Sequence, residues 1–137
     1  MVSYTYRSHS VEISLSEMFK GLEEFCDAYD IPDKYLFKIK FAVEETVTNI
    51  LKYSYKDTNG VVVFKIKYDS SNVISLIIFD KGLPFDPVLH LEKRNPEEED
   101  IYKIGGKGLL ILSKTWEKFI YKNHRGHNVL FLQSHIA

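Results

Sequence analysis

Cysteine is almost missing from this chain. Cys26 stands alone, so no intrachain disulfide can form. Its neighbours Glu24, Phe25, Asp27 and Ala28 suit a helix, and a buried, inert thiol is the expected state. No stretch approaches the ~20 apolar residues that a membrane span needs. Residues 1–10 hold no basic region followed by an apolar run, so no signal peptide is expected and the expected compartment is the cytoplasm. An excess of one charge is also lacking. The 18 basic and 19 acidic side chains leave a net charge of -1, which argues against nucleic-acid binding as the main role. Repeats and Gly/Ser-rich linkers are absent, so residues 1–137 read as a single domain.

What is present suits a globular fold. With 137 residues, 45% hydrophobic and 27% charged, the chain can bury roughly two-thirds of its unfolded surface. Residues 2–15 alternate loosely and predict one or two strand segments. Ser16 is the expected N-cap of a helix over 17–29 with the stripe Met18, Leu22, Phe25, Cys26 and Tyr29. After Ile31-Pro32, Asp33 is the expected cap of a longer helix running to about Tyr53. Asn59-Gly60 signals a turn before two strands, 61–68 and 73–80, expected as antiparallel neighbours. Residues 81–104, with three prolines and the acidic run Glu97 to Asp100, read as an irregular lid. A third helix is expected to start after Gly108 and run to about Trp116. Two closing strands, 119–122 and 128–133, are expected around a turn at His124-Arg125-Gly126. Strands in pairs rather than in single alternation with helices favour a two-layer α+β sandwich over a doubly wound sheet.

Three places bear chemistry. On the second helix Phe37, Phe41, Glu45 and Asn49 recur every four residues, a row that begins apolar and turns polar at the edge of the core-facing stripe. Glu44 lies about 100° round the helix from Glu45, so the two cannot share a role. In 73–80, Ile74, Leu76, Ile78 and Asp80 share one face, which ends an inward row on a carboxylate, and Gly82 follows. Gly105-Gly106-Lys107-Gly108 precedes the apolar helix that opens on Leu109, where backbone amides can face a phosphate. It is neither a Walker A loop nor a dinucleotide fingerprint, because Ile101, Gly108 and Ile111 stand at positions those motifs reserve for other residues. Each feature also has a plain reading: a solvated rim pair, a turn-forming aspartate, a glycine hinge.

Order and spacing together say more. Residues 41–55 (FAVEETVTNILKYSY), 80–87 (DKGLPFDP), 105–112 (GGKGLLIL) and 126–132 (GHNVLFL) resemble the N, G1 and G2 boxes and the final strand of the anti-sigma factor serine kinase family. That family lies within the Bergerat-fold ATPases, with gyrases, histidine kinases and chaperones. The resemblance implies helices on one face of a mixed, mostly antiparallel sheet. It implies ATP and Mg²⁺ as ligands, Asn49 as the metal ligand, Glu45 as general base and Asp80 as acceptor from the adenine amine. Gly82 would pack on the base, Asn128 would line the adenine pocket, and Gly105, Gly106, Lys107, Gly108 and Leu109 would contact phosphate. Lys81, Tyr53, Phe131 and Gln133 depart from the family's usual residues. The implied role is an anti-sigma factor that phosphorylates a small antagonist protein and binds a sigma factor, with a homodimer allowed for. The alternative is a non-catalytic nucleotide-binding regulatory module. A detached histidine kinase catalytic domain ranks below both, since no phosphoacceptor helix is evident.

Overall fold

The structure, a computed structural model, describes residues 1–7, 15–56, 60–92 and 108–136. Along the chain run β1 (Val2–Arg7), α1 (Leu15–Ala28), α2 (Asp33–Asn49), a π-helical turn (Ile50–Ser54), β2 (Val62–Tyr68) and β3 (Val73–Asp80). Then follow α3 (Pro87–Glu92), α4 (Gly108–Thr115), β4 (Lys118–His124) and β5 (His127–His135). The strands form one sheet in the order β1-β2-β3-β5-β4. Every neighbouring pair is antiparallel, so the expected parallel component of the sheet does not occur among these strands.

Alternation decides the layers. β3 buries every second residue, Ile74, Leu76, Ile78 and Asp80. β2 buries Val62, Phe64 and Ile66, and β5 buries Asn128, Leu130, Leu132 and Ser134. These rows join Met18 and Leu22 of α1, Ile39, Val43 and Val47 of α2, and Leu109 and Leu112 of α4 in one core. Each large aliphatic side chain so buried stabilises the fold by about 1.5–3 kcal/mol before entropy is charged. This is the expected two-layer α+β sandwich. Cys26 is buried as expected, and burial pushes its thiol up to about 11, which leaves it without reactive thiolate at neutral pH.

Several local expectations are corrected. Ser16 lies inside α1, which starts at Leu15. Asp33 is the first residue of α2, and the capping position belongs to Pro32, which offers no side-chain bond. Proline's fixed φ, here -58°, sets the entry angle instead. The expected helix to Tyr53 changes type after Asn49, and Tyr55 N–H reaches five residues back to the Ile50 carbonyl at 3.0 Å. The first part of the expected irregular lid contains a helix, α3. Asp86 caps it, accepting from the amides of Val88 (2.9 Å) and Leu89 (3.0 Å), with Pro87 at the first helical position. The acidic run, the Asn59 turn position and residues 93–107 lie outside the described residues.

The β4–β5 hairpin closes through Arg125 (φ 51°) and Gly126 (φ 79°), both left-handed, as a two-residue primed turn requires. Glycine bears this freely, whereas arginine does not. Arg125→Asn should therefore raise stability by about 1 kcal/mol, read as a higher urea midpoint with unchanged slope. A lower midpoint would contradict the turn assignment.

Candidate functional site

The site forms where the ends of β3 and β5 meet the π-helical turn. Asp80 ends the inward row of β3, and the β3–β5 register sets it opposite Asn128. Both side chains are buried, Asp80 at 4% exposure and Asn128 at 3%. Asn128 Nδ2 donates to Asp80 Oδ1 at 2.8 Å, and the Gly82 amide donates to the same oxygen at 2.9 Å. Burial raises the Asp80 carboxyl above its ordinary value. The hydrogen bonds from Asn128 and Gly82, with the nearby His127, act against that rise.

Asn128 is committed further. Its Nδ2 also faces the carbonyls of Leu83 (3.0 Å) and Gly82 (3.3 Å). Its Oδ1 accepts from the Tyr121 hydroxyl and from Asn123 Nδ2 (3.1 Å). The segment after β3 is thereby tied to β5, and it is also tied to the π-helical turn, because the Leu83 amide donates to the Ser54 carbonyl at 2.7 Å. A Cβ on Gly82 would fall 2.6 Å from that Ser54 oxygen. Backbone atoms cannot give way as a flexible side chain can, so glycine at this position is required by a contact within the protein.

Helix α2 supplies Asn49 and Glu45, both half-buried, while Glu44 is exposed as the helical geometry requires. Asn49 Nδ2 donates to the Glu45 carbonyl at 2.6 Å. That bond uses the amide's donor side and leaves the oxygen, the atom a hard cation would seek, without a hydrogen bond from the described residues. The π-helical turn follows directly, a local widening that often marks functional positions. A Cβ on Gly108 would lie 2.0 Å from the Glu45 carboxylate, so the N-terminus of α4 rests directly on that group. Burial, and then Glu44, raise the Glu45 carboxyl above its ordinary value.

A cavity joins most of these residues. Asn49, Asp80, Leu109 and Asn128 line it, together with Ser54 and Phe85. It is narrow, ≈ 20 Å³, about the room of one water. A purine enters only if a wall moves. Phe85 is on the segment after β3 and stacks on Tyr53 with centroids 4.4 Å apart and an interplanar angle of 16°. Of the residues expected at the site, Asn49, Asp80, Leu109 and Asn128 line this cavity, Gly82 is bonded to Asp80, and Glu45 lies against Gly108 beside it. Gly105, Gly106 and Lys107 lie outside the described residues. Sequence reasoning missed Ser54, Phe85 and Tyr121 as lining residues. For Tyr121 a signal existed, since it alternates with Phe119 on the inward face of β4. Among the described residues no group of three or more His, Cys, Asp or Glu side chains could hold a metal alone. A cation at Asn49 would draw its other oxygens from phosphate and water.

A two-layer sandwich whose cavity is lined by a buried strand-end carboxylate and a helix-borne asparagine is a site suited to a polar ligand, and the sequence comparisons give its class. The sequence profile of the histidine kinase-like ATPase domain matches residues 9–134, and the chain belongs to that family. Among its relatives, the serine-protein kinase RsbW of Staphylococcus aureus strains JH9 and Newman is 34% identical over 118 residues, covering 82% of this chain and 70% of RsbW. The family read from the three boxes is thus borne out.

Asp80 links stability to pH. Its carboxyl is raised in the folded state, so its contribution to stability is fully present below the ordinary carboxylate range and is lost as pH rises through the folded value. Asp80→Asn can still accept from Asn128 and Gly82 while turning a donor toward the cavity. It should raise the unfolding midpoint at neutral pH and flatten its decline above the carboxylate range, measured by thermal unfolding from acid to neutral pH. The same variant should lose ADP binding, measured by calorimetry. A variant that binds ADP as wild type does would remove Asp80 from the site.

Proposed function

We propose that this chain is an ATP-dependent protein serine/threonine kinase of the anti-sigma factor type. It would phosphorylate a small antagonist protein, bind a sigma factor and work in the cytoplasm as a single domain, with a homodimer allowed for. The observation that carries the reading is a cavity lined by the buried Asp80 and by Asn49, with a second, differently held carboxylate, Glu45, one helical turn before Asn49. Asp80 is locked by two donors on one oxygen, and Glu45 rests against the head of α4. Similarity to a serine-protein kinase over most of the chain supports the reaction class. No helix among the described residues is long and apolar enough to cross a membrane.

Phosphoryl transfer asks the protein for position and charge rather than covalent chemistry. Asp80 Oδ2 would accept from the adenine amine, and Asn49 Oδ1 would hold Mg²⁺. The chemistry Mg²⁺ supplies when bound is neutralisation of phosphate charge. The amides of Gly105, Gly106, Lys107, Gly108 and Leu109, near the positive end of α4, would receive phosphate oxygens. Glu45 would orient the acceptor serine hydroxyl and take its proton. A carboxyl raised by burial is a better base than an exposed one, and its place one helical turn from Asn49 aims both groups at the same volume.

Glu45→Gln should leave ADP affinity near wild type and cut phosphate transfer by about 10²–10⁴-fold. The measurement is labelled phosphate transfer to a candidate antagonist encoded beside this gene, alongside calorimetry. Equal transfer by variant and wild type would falsify the base assignment. Tight ATP binding by a wild-type protein that transfers to no candidate would instead identify a nucleotide-binding regulatory module.

A further inference from the structure

The amide of Asn128 has only one chemically sensible orientation. Its Nδ2 faces three acceptors, Asp80 Oδ1, Leu83 O and Gly82 O. Its Oδ1 faces the Tyr121 hydroxyl and Asn123 Nδ2. A flipped amide would set oxygen against a carboxylate and two carbonyls. The consequence falls on Asp80. Asn128 and the Gly82 amide both donate to Oδ1, and an oxygen that accepts two donors has used its lone pairs. Oδ2 receives no hydrogen bond from the described residues and remains the available acceptor of a carboxylate that lines the cavity.

A free aspartate is ambiguous toward purines. Its two oxygens form a fork that matches the parallel N1–H and 2-amino donors of guanine, just as a carboxylate matches the paired donors of arginine. A single available oxygen suits the one exocyclic amine of adenine and gains little from the second donor of guanine, because the two guanine donors run parallel and do not converge on one atom. We propose that Asn128 is a specificity-determining positioning residue: by occupying Asp80 Oδ1 it makes the carboxylate a one-point acceptor that selects adenine over guanine nucleotides. Tyr121 and Asn123 serve this by pinning the amide from behind. The inference rests on the nucleotide-binding reading above and adds to it the origin of base choice. Asn128 need not touch the base to exert it.

Purine analogues test this on the unaltered protein. Inosine diphosphate differs from GDP only in lacking the 2-amino group. Calorimetry on wild type should rank ADP well above both, with GDP and inosine diphosphate within about threefold of each other, since parallel donors cannot both align on one oxygen. Asn128→Leu keeps similar volume, excludes water and frees the carboxylate to turn. In that variant GDP should exceed inosine diphosphate by about tenfold, and the preference for ADP over GDP should fall by about tenfold or more. A purely structural role for Asn128 would weaken all three ligands in proportion and leave the ratios unmoved, which would overturn the proposal. Wild type binding GDP tenfold more tightly than inosine diphosphate would overturn it as well, and that result needs no folded variant. A wild-type protein that binds no purine nucleotide at all would defeat the nucleotide reading itself, a different outcome from either.

Discussion

A carboxylate at the end of an otherwise apolar row is tolerated only if its hydrogen bonds are made. In this fold that requirement falls on Asp80, and meeting it organises three separate pieces of chain. The β3–β5 register must bring Asn128 opposite it. The backbone after β3 must turn at once, so that the Gly82 amide points back at Oδ1. That turn brings residues 82 and 83 against the π-helical turn, where the Ser54 carbonyl takes the Leu83 amide. One buried charge thus sets the relative position of a strand pair, a loop and the end of α2, the helix that carries Glu45 and Asn49.

The sequence carried the rows of this arrangement plainly. Period-two burial in β2, β3 and β5 follows directly from Val62, Phe64 and Ile66, from Ile74 to Asp80, and from Asn128, Leu130 and Leu132. The inward directions of Asp80 and Asn128 were legible from parity alone. The four-residue row on α2 likewise separated Glu45 from the exposed Glu44. What was not legible depends on competition between nearly equal local choices. Ser16 and Asp33 are good capping residues, yet each sits inside its helix, because Pro32 fixes the backbone entry to α2 and α1 begins earlier at Leu15. The change to π-helical hydrogen bonding after Asn49 leaves no mark in a hydrophobic pattern that runs on unbroken. In α3, Asp86-Pro87 was a sound start signal overshadowed by the surrounding prolines.

Glycine shows the same limit at the site. Gly82 and Gly108 stand out in the sequence as freedom near a ligand. Their neighbours in space are the Ser54 backbone and the Glu45 carboxylate, which no local pattern can reveal. The two contacts differ in kind. At Gly82 two backbones meet, so the absence of a side chain maintains the frame. At Gly108 the neighbour is the tip of a flexible side chain, so the absence of a side chain leaves the Glu45 carboxylate its place.

That difference extends to the two carboxylates. Burial raises both, by desolvation first. Asp80 then receives two hydrogen bonds on one oxygen, which pull its basicity back and stop its rotation. Glu45 receives none from the described residues, and its second influence, the like charge of Glu44, adds to the rise. Asp80, held by two donors with its proton affinity damped, has the properties that the proposed recognition of the base needs. Glu45, with its proton affinity enhanced and no hydrogen bond from the described residues, has the properties that the proposed base needs. The same residue chemistry is set in two different environments, drawn by Asn128 and the Gly82 amide on one side and by the bare Cα of Gly108 on the other.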